Sequence, residues 1–335
     1  MADGNTPRAM VKALLKGEPP ARPLLMPIIF SLGSRLESLP LRDFQRSPTK
    51  IANALRQIRG ALKVDGLACY FDPLLEFEAL GGKIAWQADG SAAVAGSPCG
   101  DIANLGKLPS PEQVIHHERV RVASDVLHRL RVMLHDDPPL MVGVTGPFTL
   151  AGQLLGRAAD NFELLQFAAE ICAALCKTLL ESGADIVFLT ETSLPPAPAE
   201  WWEKWALLLD PIINVIRFYE ALPVLFLKDA SGAREDLGPV LDRDWNCVLS
   251  LDFGGGDAAA EKYRLAERSL GVALPTSFMW RTMSDSGTSA TAITQVLHGE
   301  KPILLFSTGD LPPGCDLKQL ASLLGTIRTD LLRVV

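Results

Sequence analysis

Short apolar runs rich in β-branched residues recur along the chain, and each is flanked by Gly, Pro or Asp. Longer stretches with helical periodicity separate them, and this alternation is typical of parallel β/α units. Eight runs predict strands: Leu24–Phe30, Gly66–Phe71, Leu140–Val144, Asp185–Leu189, Pro223–Leu227, Cys247–Leu251, Thr276–Trp280 and Ile303–Phe306. Five stretches predict covering helices: Pro48–Leu62, Pro111–Leu134, Phe162–Ser182, Trp201–Ala221 and Ala258–Leu270.

Eight such units predict an α/β fold of the (β/α)₈ TIM barrel type rather than a doubly wound sheet. No compositional break marks a boundary, so residues 1–335 are interpreted as a single domain. Residues 81–108 form an irregular insertion rich in Gly and Ala. Within it, Lys83–Val94 predicts a hairpin, because Asp89 and Gly90 give a good turn signal. We expect the insertion to lie beside the barrel mouth.

The composition excludes several classes of protein. Hydrophobic residues make up 48% and charged residues 21%, which predicts a globular chain rather than a disordered one. The chain has 32 basic and 39 acidic side chains, and this net charge of −7 argues against a nucleic-acid partner. No signal-peptide pattern and no run of ~18 apolar residues is present, which predicts a cytoplasmic protein without a membrane partner. The six cysteines form no CxxC pair and are expected to be reduced and mostly buried.

Active sites of (β/α)₈ barrels lie at the carboxyl ends of the strands, so the residues just after each run are the candidates. They are Asp72, Thr145, Glu191, Lys228, Asp229, Asp252, Arg281, Thr308 and Asp310. Four carboxylates among them, Asp72, Glu191, Asp229 and Asp252, are expected to converge on one mouth. Such crowding raises at least one pKa, which suits a general acid or base. The alternative is that these carboxylates cap the following helices or pair with Lys228.

Neither a metal motif nor a nucleotide motif is present. Four of the five histidines, His116, His117, His128 and His135, fall in or just after one helical segment, away from the predicted strand ends. No strand is followed by a GxGxxG segment, and the chain has no GxxxxGK[ST] segment. The residues themselves therefore predict no metal site and no nucleotide cofactor.

Four segments resemble the uroporphyrinogen decarboxylase superfamily, which includes corrinoid-dependent methyltransferases such as methylcobalamin:coenzyme M methyltransferase. They are Lys63–Ile84, Val144–Gly156, Glu181–Ser193 and Ser307–Gly314. They follow the family's order over nearly the whole chain. The resemblance implies a (β/α)₈ barrel with a deep polar cleft, and a homodimer, because family members often pair near the cleft.

Compared with the decarboxylases, the chain keeps the central substrate-binding aspartate, which falls on Asp72. The family's Arg-Gln-Ala-Gly-Arg motif, which grips porphyrin carboxylates, is replaced around Met26–Arg35 by an apolar segment. The family's tyrosine falls on Gln153, and its late Gly-His-Gly falls on Ser307–Asp310, which contains no histidine. Uroporphyrinogen decarboxylation by the usual residues is therefore not expected.

The phrases GPFTLAGQLLG and TGDLPPG resemble the methyltransferase branch more closely. In that branch the zinc ligands are a His-x-Cys-Gly segment after the fifth strand and a Cys just before an Asp-x-Pro-Pro turn. Here the first place reads Asp229-Ala230-Ser231-Gly232, and the second reads Gly309-Asp310. Because the nitrogen and sulfur donors are replaced, zinc is not expected. Cys315, beyond the turn, does not align with the missing ligand.

Three functions remain open. The favoured one is a methyltransferase that moves a methyl group to or from a corrinoid carried by a partner protein, with a small-molecule substrate. The second is a decarboxylase or other lyase on a porphyrinogen or small organic acid, and the third is a non-catalytic homologue that binds a ligand or a corrinoid protein. The predicted catalytic residues are Asp72 and Glu191, and no tightly bound cofactor is expected. The predicted substrate-binding residues are Thr145, Gln153, Lys228, Asp229, Asp252, Arg281, Thr308 and Asp310.

Overall fold

The described residues form strands and helices that alternate along much of the chain. The computed structural model describes residues 6–88, 90–135, 138–193, 199–228, 243, 248–252, 270–274, 276 and 303–334. The strands are β1 (Leu24–Leu25), β2 (Leu67–Tyr70), β3 (Ile84–Trp86), β4 (Ala92–Val94), β5 (Leu140–Thr145), β6 (Ile186–Glu191), β7 (Leu222–Leu227), β8 (Val248–Asp252), β9 (Leu270–Leu274) and β10 (Leu304–Ser307). The described helices are α1 (Pro7–Leu15), α2 (Leu32–Leu36), α3 (Leu41–Phe44), α4 (Pro48–Leu62), α5 (Leu75–Ala79), α6 (Pro111–Ile115), α7 (Glu118–Leu134), α8 (Pro147–Leu155), α9 (Phe162–Glu181), α10 (Ala199–Phe218) and α11 (Leu317–Val334).

Eight strands form one parallel sheet in the order β1-β10-β9-β8-β7-β6-β5-β2. From β5 to β10 each strand pairs with the next one along the chain, and the first strand pairs with the last, as in a (β/α)₈ barrel. The Asp65 backbone N–H donates to the Leu25 carbonyl (3.0 Å) where the segment before β2 passes β1. The Leu25 N–H in turn donates to Asp65 Oδ2 (2.8 Å), so Asp65 joins the two ends of the sheet. The predicted barrel is confirmed.

The barrel interior is filled by side chains. The Phe188 ring lies at its centre, with its centroid 4.7 Å from that of Phe306, 5.5 Å from Phe71 and 6.0 Å from Phe226. Below this layer, Met10 and Leu14 of α1 belong to the same buried cluster as the first residues of several strands. Helix α1 therefore packs against the amino ends of the strands. The floor of any cavity at the opposite end is built from phenylalanine rings.

The first strand is shorter than predicted. Of the expected run Leu24–Phe30 only Leu24–Leu25 forms a strand, and the last backbone donor to β10 is the Met26 N–H (2.8 Å to the Leu305 carbonyl), because the next residue, Pro27, has no N–H to donate. The later backbone N–H groups bond to side chains instead: Ile28 N–H donates to Ser307 Oγ (2.9 Å). The segment after β1 is therefore fastened to the loop after β10.

The seventh predicted strand is wrong in position. The structure places β9 at Leu270–Leu274, and Thr276 lies outside a strand. The predicted strand otherwise covers residues 277–280, which lie outside the described part of the chain. The apolar run GVAL (residues 271–274) lies in β9 and pairs with β10. Leu270 is the first residue of β9, whereas the sequence predicted it at the end of a helix. Apart from the shortened first strand, the other predicted strands are confirmed, with shifts of one or two residues at their ends.

The insertion contains the predicted hairpin. Strands β3 and β4 pair antiparallel, with Ile84 opposite Val94 and Trp86 opposite Ala92. A 3₁₀ helix follows at Ile102–Lys107. The Cys99 N–H donates to the Leu154 carbonyl near the end of α8 (3.2 Å), which fastens the insertion to the helix that follows β5. Among the helices of the described ranges, none combines the length and apolar character needed to cross a bilayer.

Candidate functional site

A cavity opens at the carboxyl ends of the barrel strands. It encloses about 630 Å³ of empty space, part of which is open to solvent. The described residues that line it are Phe71, Asp72, Pro73, Gly143, Val144, Thr145, Thr149, Gln153, Thr190, Thr192, Phe226, Lys228, Gly309 and Asp310. The structure thus brings together five predicted site residues. They are Asp72, Thr145, Gln153, Lys228 and Asp310.

Asp72 lies directly behind β2 and is only 7% exposed. A register shift between Ala68 and Tyr70 in the pairing of β2 with β5 alters the alternation of side chains just before it. Its Oδ1 accepts a hydrogen bond from Leu74 N–H (3.0 Å), and its Oδ2 accepts one from the Arg119 guanidinium. Asp72 therefore does both things that the sequence left open: it faces the cavity and it caps the segment that follows.

Arg119 is a buried cation behind Asp72, and sequence reasoning missed it. It lies in the first turn of α7 and is 1% exposed. Besides Asp72, its guanidinium donates to Glu78, to Gln45 Oε1 (3.0 Å) and to the Tyr70 hydroxyl (3.3 Å). A buried arginine is tolerated only when it is paired and hydrogen-bonded, and these groups supply both conditions.

The ion pairs continue outward from Arg119. Glu78 also accepts a hydrogen bond from Arg46 (2.8 Å), whose side chain is 34% exposed. The Asp72 carboxylate is therefore one end of a chain of alternating charges that reaches the surface. This arrangement holds the Asp72 carboxyl group at a fixed place in the cavity wall.

Glu191 does not line the cavity, and the expectation that it faces the mouth is wrong. Its Oε1 accepts hydrogen bonds from Phe148 N–H (3.0 Å) and Trp205 Nε1 (2.9 Å). Its Oε2 accepts one from Thr149 N–H (2.8 Å). The carboxyl group thus caps the amino end of α8. Burial raises the pKa of Glu191 to about 7, while the hydrogen bonds from Thr149, Phe148 and Trp205 lower it in part.

The direction of Glu191 follows from the pleat of β6, in which successive side chains point to opposite faces. Phe188 and Thr190 point into the barrel, and Thr190 reaches the cavity wall. Leu189 belongs to the outer core between the strands and the helices. Glu191, two residues later, points to the same face of β6 as Leu189. A Cβ at Gly146 would lie 2.3 Å from Glu191 Cδ, so only glycine fits beside this carboxyl group.

Glu76 is a second buried carboxyl group that sequence reasoning did not single out. It lies in α5, and its Oε1 and Oε2 accept hydrogen bonds from the Thr145 N–H (3.0 Å) and the Thr145 hydroxyl (2.8 Å). Burial raises the pKa of Glu76 above its ordinary value, opposed by these hydrogen bonds. Glu76 therefore fixes Thr145 at the end of β5, where Thr145 lines the cavity.

Asp310 fastens the loop after β10 to the segment after β1. Its carboxylate accepts hydrogen bonds from Phe30 N–H (2.7 Å), Ser31 N–H (2.8 Å) and the Ser31 hydroxyl. Burial raises the pKa of Asp310 to about 6, and these hydrogen bonds lower it in part. Asp310 thus lines the cavity and also joins the loop after β10 to the segment after β1.

Gln153 and Thr308 are held by neighbouring groups. Gln153 Nε2 donates to the Pro73 carbonyl (3.3 Å), which orients the amide at the cavity wall. Thr308 is not among the lining residues. Its Oγ1 accepts a hydrogen bond from Thr276 N–H (3.1 Å), so the described contact of Thr308 is with the segment after β9.

Three predicted site residues have no described side chain. Asp252 is the last residue of β8, opposite Ala273 of β9. Asp229 and Arg281 lie outside the described residues. The strand β9 ends at Leu274, seven residues before Arg281. Of the four carboxylates expected at the mouth, Asp72 lies there and Glu191 does not.

The donor set is a poor match for the zinc of the methyltransferase branch. At the places of its ligands this chain has Asp229, Ser231 and Gly309, and glycine has no side chain to donate. The neighbouring Asp310 carboxylate is already occupied by three hydrogen bonds from Phe30 and Ser31. Across the described ranges, no three His, Cys, Asp or Glu side chains converge as a metal site requires.

The sequence matches a known protein family over most of its length. The model of the uroporphyrinogen decarboxylase (URO-D) family matches residues 6–238, and the chain belongs to this family. No curated protein sequence matches the chain significantly.

Solved structures confirm the fold over nearly the whole length. A methyltransferase from Methanosarcina mazei is similar with a TM-score of 0.79 at 17% identity, over 97% of this chain and 98% of that one. A B12-independent methionine synthase from Shewanella sp. W3-18-1 is similar with a TM-score of 0.50 at 13% identity, over 87% of this chain and 91% of that one.

Proposed function

We propose that the protein is a methyltransferase that moves a methyl group between a corrinoid carried by a partner protein and a small molecule bound in the cavity. The fold of the Methanosarcina mazei methyltransferase, which spans nearly the whole of both chains, supports this reading. Family membership alone leaves a decarboxylase role open, so the choice depends on the cavity itself.

The observation that carries the choice is the direction of Arg35. A porphyrinogen with several carboxylates needs arginines that face the cleft. In the segment Met26–Arg35 the one arginine is Arg35. Its Nη1 donates to the backbone carbonyls of Gly314 (3.1 Å) and Cys315 (3.3 Å), away from the described lining of the cavity. These contacts fasten the segment after β1 to the β10 loop, which favours a ligand other than a tetrapyrrole.

The cavity fits a small molecule with one flat or apolar part and a few polar atoms. The Phe71 and Phe226 rings supply the apolar wall, and Thr145 and Thr149 lie beside them. Asp72, held by Arg119, is placed to accept an O–H or N–H hydrogen bond from the ligand. A methylcorrinoid would supply the methyl group: the acceptor oxygen or nitrogen would form the bond to the methyl carbon and release its proton to solvent, and the corrinoid would be left as cob(I)alamin.

The test is methyl transfer from methylcobalamin labelled with ¹³C in the methyl group. The purified protein is incubated with a panel of phenols, pterins and small thiols, and the product is followed by NMR together with the absorbance of cob(I)alamin. We expect label in an O-methyl or N-methyl product. Release of CO₂ from a small organic acid without methyl transfer would favour the decarboxylase reading instead. Ligand binding with neither reaction would favour a non-catalytic homologue.

A further inference from the structure

The side-chain amide of Gln153 is held in one orientation at the cavity wall. Gln153 lies in α8 and is one of the residues that line the cavity. Its Nε2 donates to the Pro73 carbonyl (3.3 Å). If the amide were turned over, its oxygen would face the carbonyl oxygen, and neither atom can donate a hydrogen bond. The contact with Pro73 therefore fixes Oε1 as the atom of Gln153 that is left to accept a hydrogen bond.

The Oε1 atom of Gln153 is shielded from solvent and accepts no hydrogen bond from any described residue. The Thr190 hydroxyl, in the wall of the same cavity, is equally buried and has no hydrogen-bond partner among these residues. Thr190 lies opposite Thr145 in the pairing of β5 with β6, so this wall is continuous across the two strands. A buried polar group without a partner costs roughly 1–3 kcal/mol. Two such groups in one wall indicate that a ligand completes it.

The carboxylates of the described wall differ from Gln153, because the protein itself supplies their donors. Asp72 accepts a hydrogen bond from the Arg119 guanidinium, and Asp310 accepts one from Ser31 N–H. A ligand donor that reaches Gln153 Oε1 instead forms a bond to an acceptor that otherwise has none. The gain in binding free energy from one donor is therefore expected to be largest at Gln153.

We propose that Gln153 determines specificity by accepting a hydrogen bond from an O–H or N–H group of the ligand, in addition to the donor that Asp72 accepts. The Nε2 bond to Pro73 is long, so a small rotation of this partly exposed side chain brings Oε1 to the cavity surface. The inference rests on the proposed function for one point, namely that the ligand is the methyl acceptor. The substrate class is then a flat molecule with two hydrogen-bond donors, such as a dihydroxybenzene or an aminophenol.

Dihydroxybenzenes and fluorophenols test the inference, because each matched pair keeps one O–H group and replaces the other by a fluorine of similar size. Catechol, resorcinol and hydroquinone are each compared with the fluorophenol of the same substitution pattern. Ligand-observed NMR gives the dissociation constants. In the wild type we expect at least one dihydroxybenzene to bind roughly tenfold tighter than its fluorophenol, because a site built for a donor rejects the analogue that lacks it.

Gln153→Met and Gln153→Leu remove the acceptor and should bring the ratio of the two dissociation constants close to one. Both variants are expected to fold, since Gln153 is partly exposed, and thermal unfolding checks this. Gln166→Met is the matched control and should keep the wild-type ratio, because Gln166 is an exposed residue of α9 outside the described lining of the cavity.

The inference is overturned if the wild type prefers none of the dihydroxybenzenes, whether or not any of the compounds binds, or if a folded Gln153 variant keeps the preference. A preference that depends on Gln153, in a protein that transfers no methyl group, would leave this inference standing and remove the proposed function. Methyl transfer by a protein without the preference would overturn this inference and leave the proposed function standing.

Discussion

The Arg119 guanidinium donates a hydrogen bond to Asp72 from behind the cavity wall, and both side chains are almost completely buried. This pair explains why an acidic group stays in the wall of a largely apolar barrel. Because removing one partner leaves the other charge buried and unpaired, substitutions here should affect stability as well as function.

Arg119→Gln should lower the free energy of unfolding by roughly 3–5 kcal/mol, because it leaves Asp72 and Glu78 without their shared cation. Urea unfolding measures the change. The double variant Arg119→Gln/Asp72→Asn should recover part of the loss. Arg129→Gln is the matched control, since Arg129 forms a half-exposed ion pair with Asp125 and should cost about 0.5 kcal/mol or less. An Arg119 variant as stable as this control would contradict a buried ion pair.

Stability should fall as the pH rises from about 5 to about 8, and Glu191 should contribute to the fall. Burial raises the pKa of Glu191 from 4.5 to about 7, so between these values the folded protein holds a proton that the unfolded chain has lost. The stabilisation is therefore present below about pH 4.5 and is lost as the pH rises through about 7. Its full size is roughly 3 kcal/mol.

The measurement is the free energy of unfolding at about pH 5 and about pH 8 for the wild type and Glu191→Gln. The variant should lose less stability across this range, whatever its absolute stability. Glu203→Gln changes an exposed carboxylate on the same helix as Trp205 and should leave the pH dependence as in the wild type. Equal pH dependence in wild type and Glu191→Gln would show that Glu191 is ionised throughout.

Gly146→Ala should destabilise the protein by about 1–3 kcal/mol, because the added methyl would overlap the Glu191 carboxyl group. Thermal unfolding gives the comparison. Gly60→Ala is a suitable control, since a Cβ at Gly60 in helix α4 meets nothing within 4 Å and should be neutral or stabilising by up to about 1 kcal/mol. Equal unfolding temperatures for the two variants would show that the Glu191 carboxyl group moves aside to make room for the added methyl.

Purified protein should carry well below one zinc per chain, and chelators should change neither its stability nor its activity. Cys315 is not a ready substitute ligand, because burial raises the pKa of its thiol to about 11 and zinc binds the thiolate. Elemental analysis provides the measurement. About one zinc per chain, lost together with activity in Cys315→Ala, would indicate a relocated zinc site.

The barrel is predictable from the sequence because its strands are short apolar runs separated by amphipathic helices. Asp72 and Lys228 are predictable because each directly follows such a run. The same rule failed for Glu191, since it counts only the distance from the strand end. The alternation of side chains along β6 places Thr190 inside and Glu191 outside, and this pattern is readable from the sequence.

Arg119 could not be predicted, for a different reason. It is one of two arginines in the segment ERVR, and nothing local distinguishes it from Arg121, which is exposed. Its burial depends on Asp72 and Glu78, which precede it by more than forty residues in the sequence. The seventh strand was predicted at TSFMW because this apolar run lies next to a second one, GVAL. The run that pairs with β10 is GVAL, in β9.

The most direct test of the account is the rate of methyl transfer from ¹³C-methylcobalamin to a phenolic acid, measured for the wild type and Asp72→Asn at equal concentrations of folded protein. The account predicts transfer by the wild type and a loss of roughly a hundredfold or more in Asp72→Asn, because a charged hydrogen-bond acceptor for the substrate is removed. Equal rates in the two proteins, or no transfer in the wild type to any oxygen or nitrogen acceptor, would contradict it.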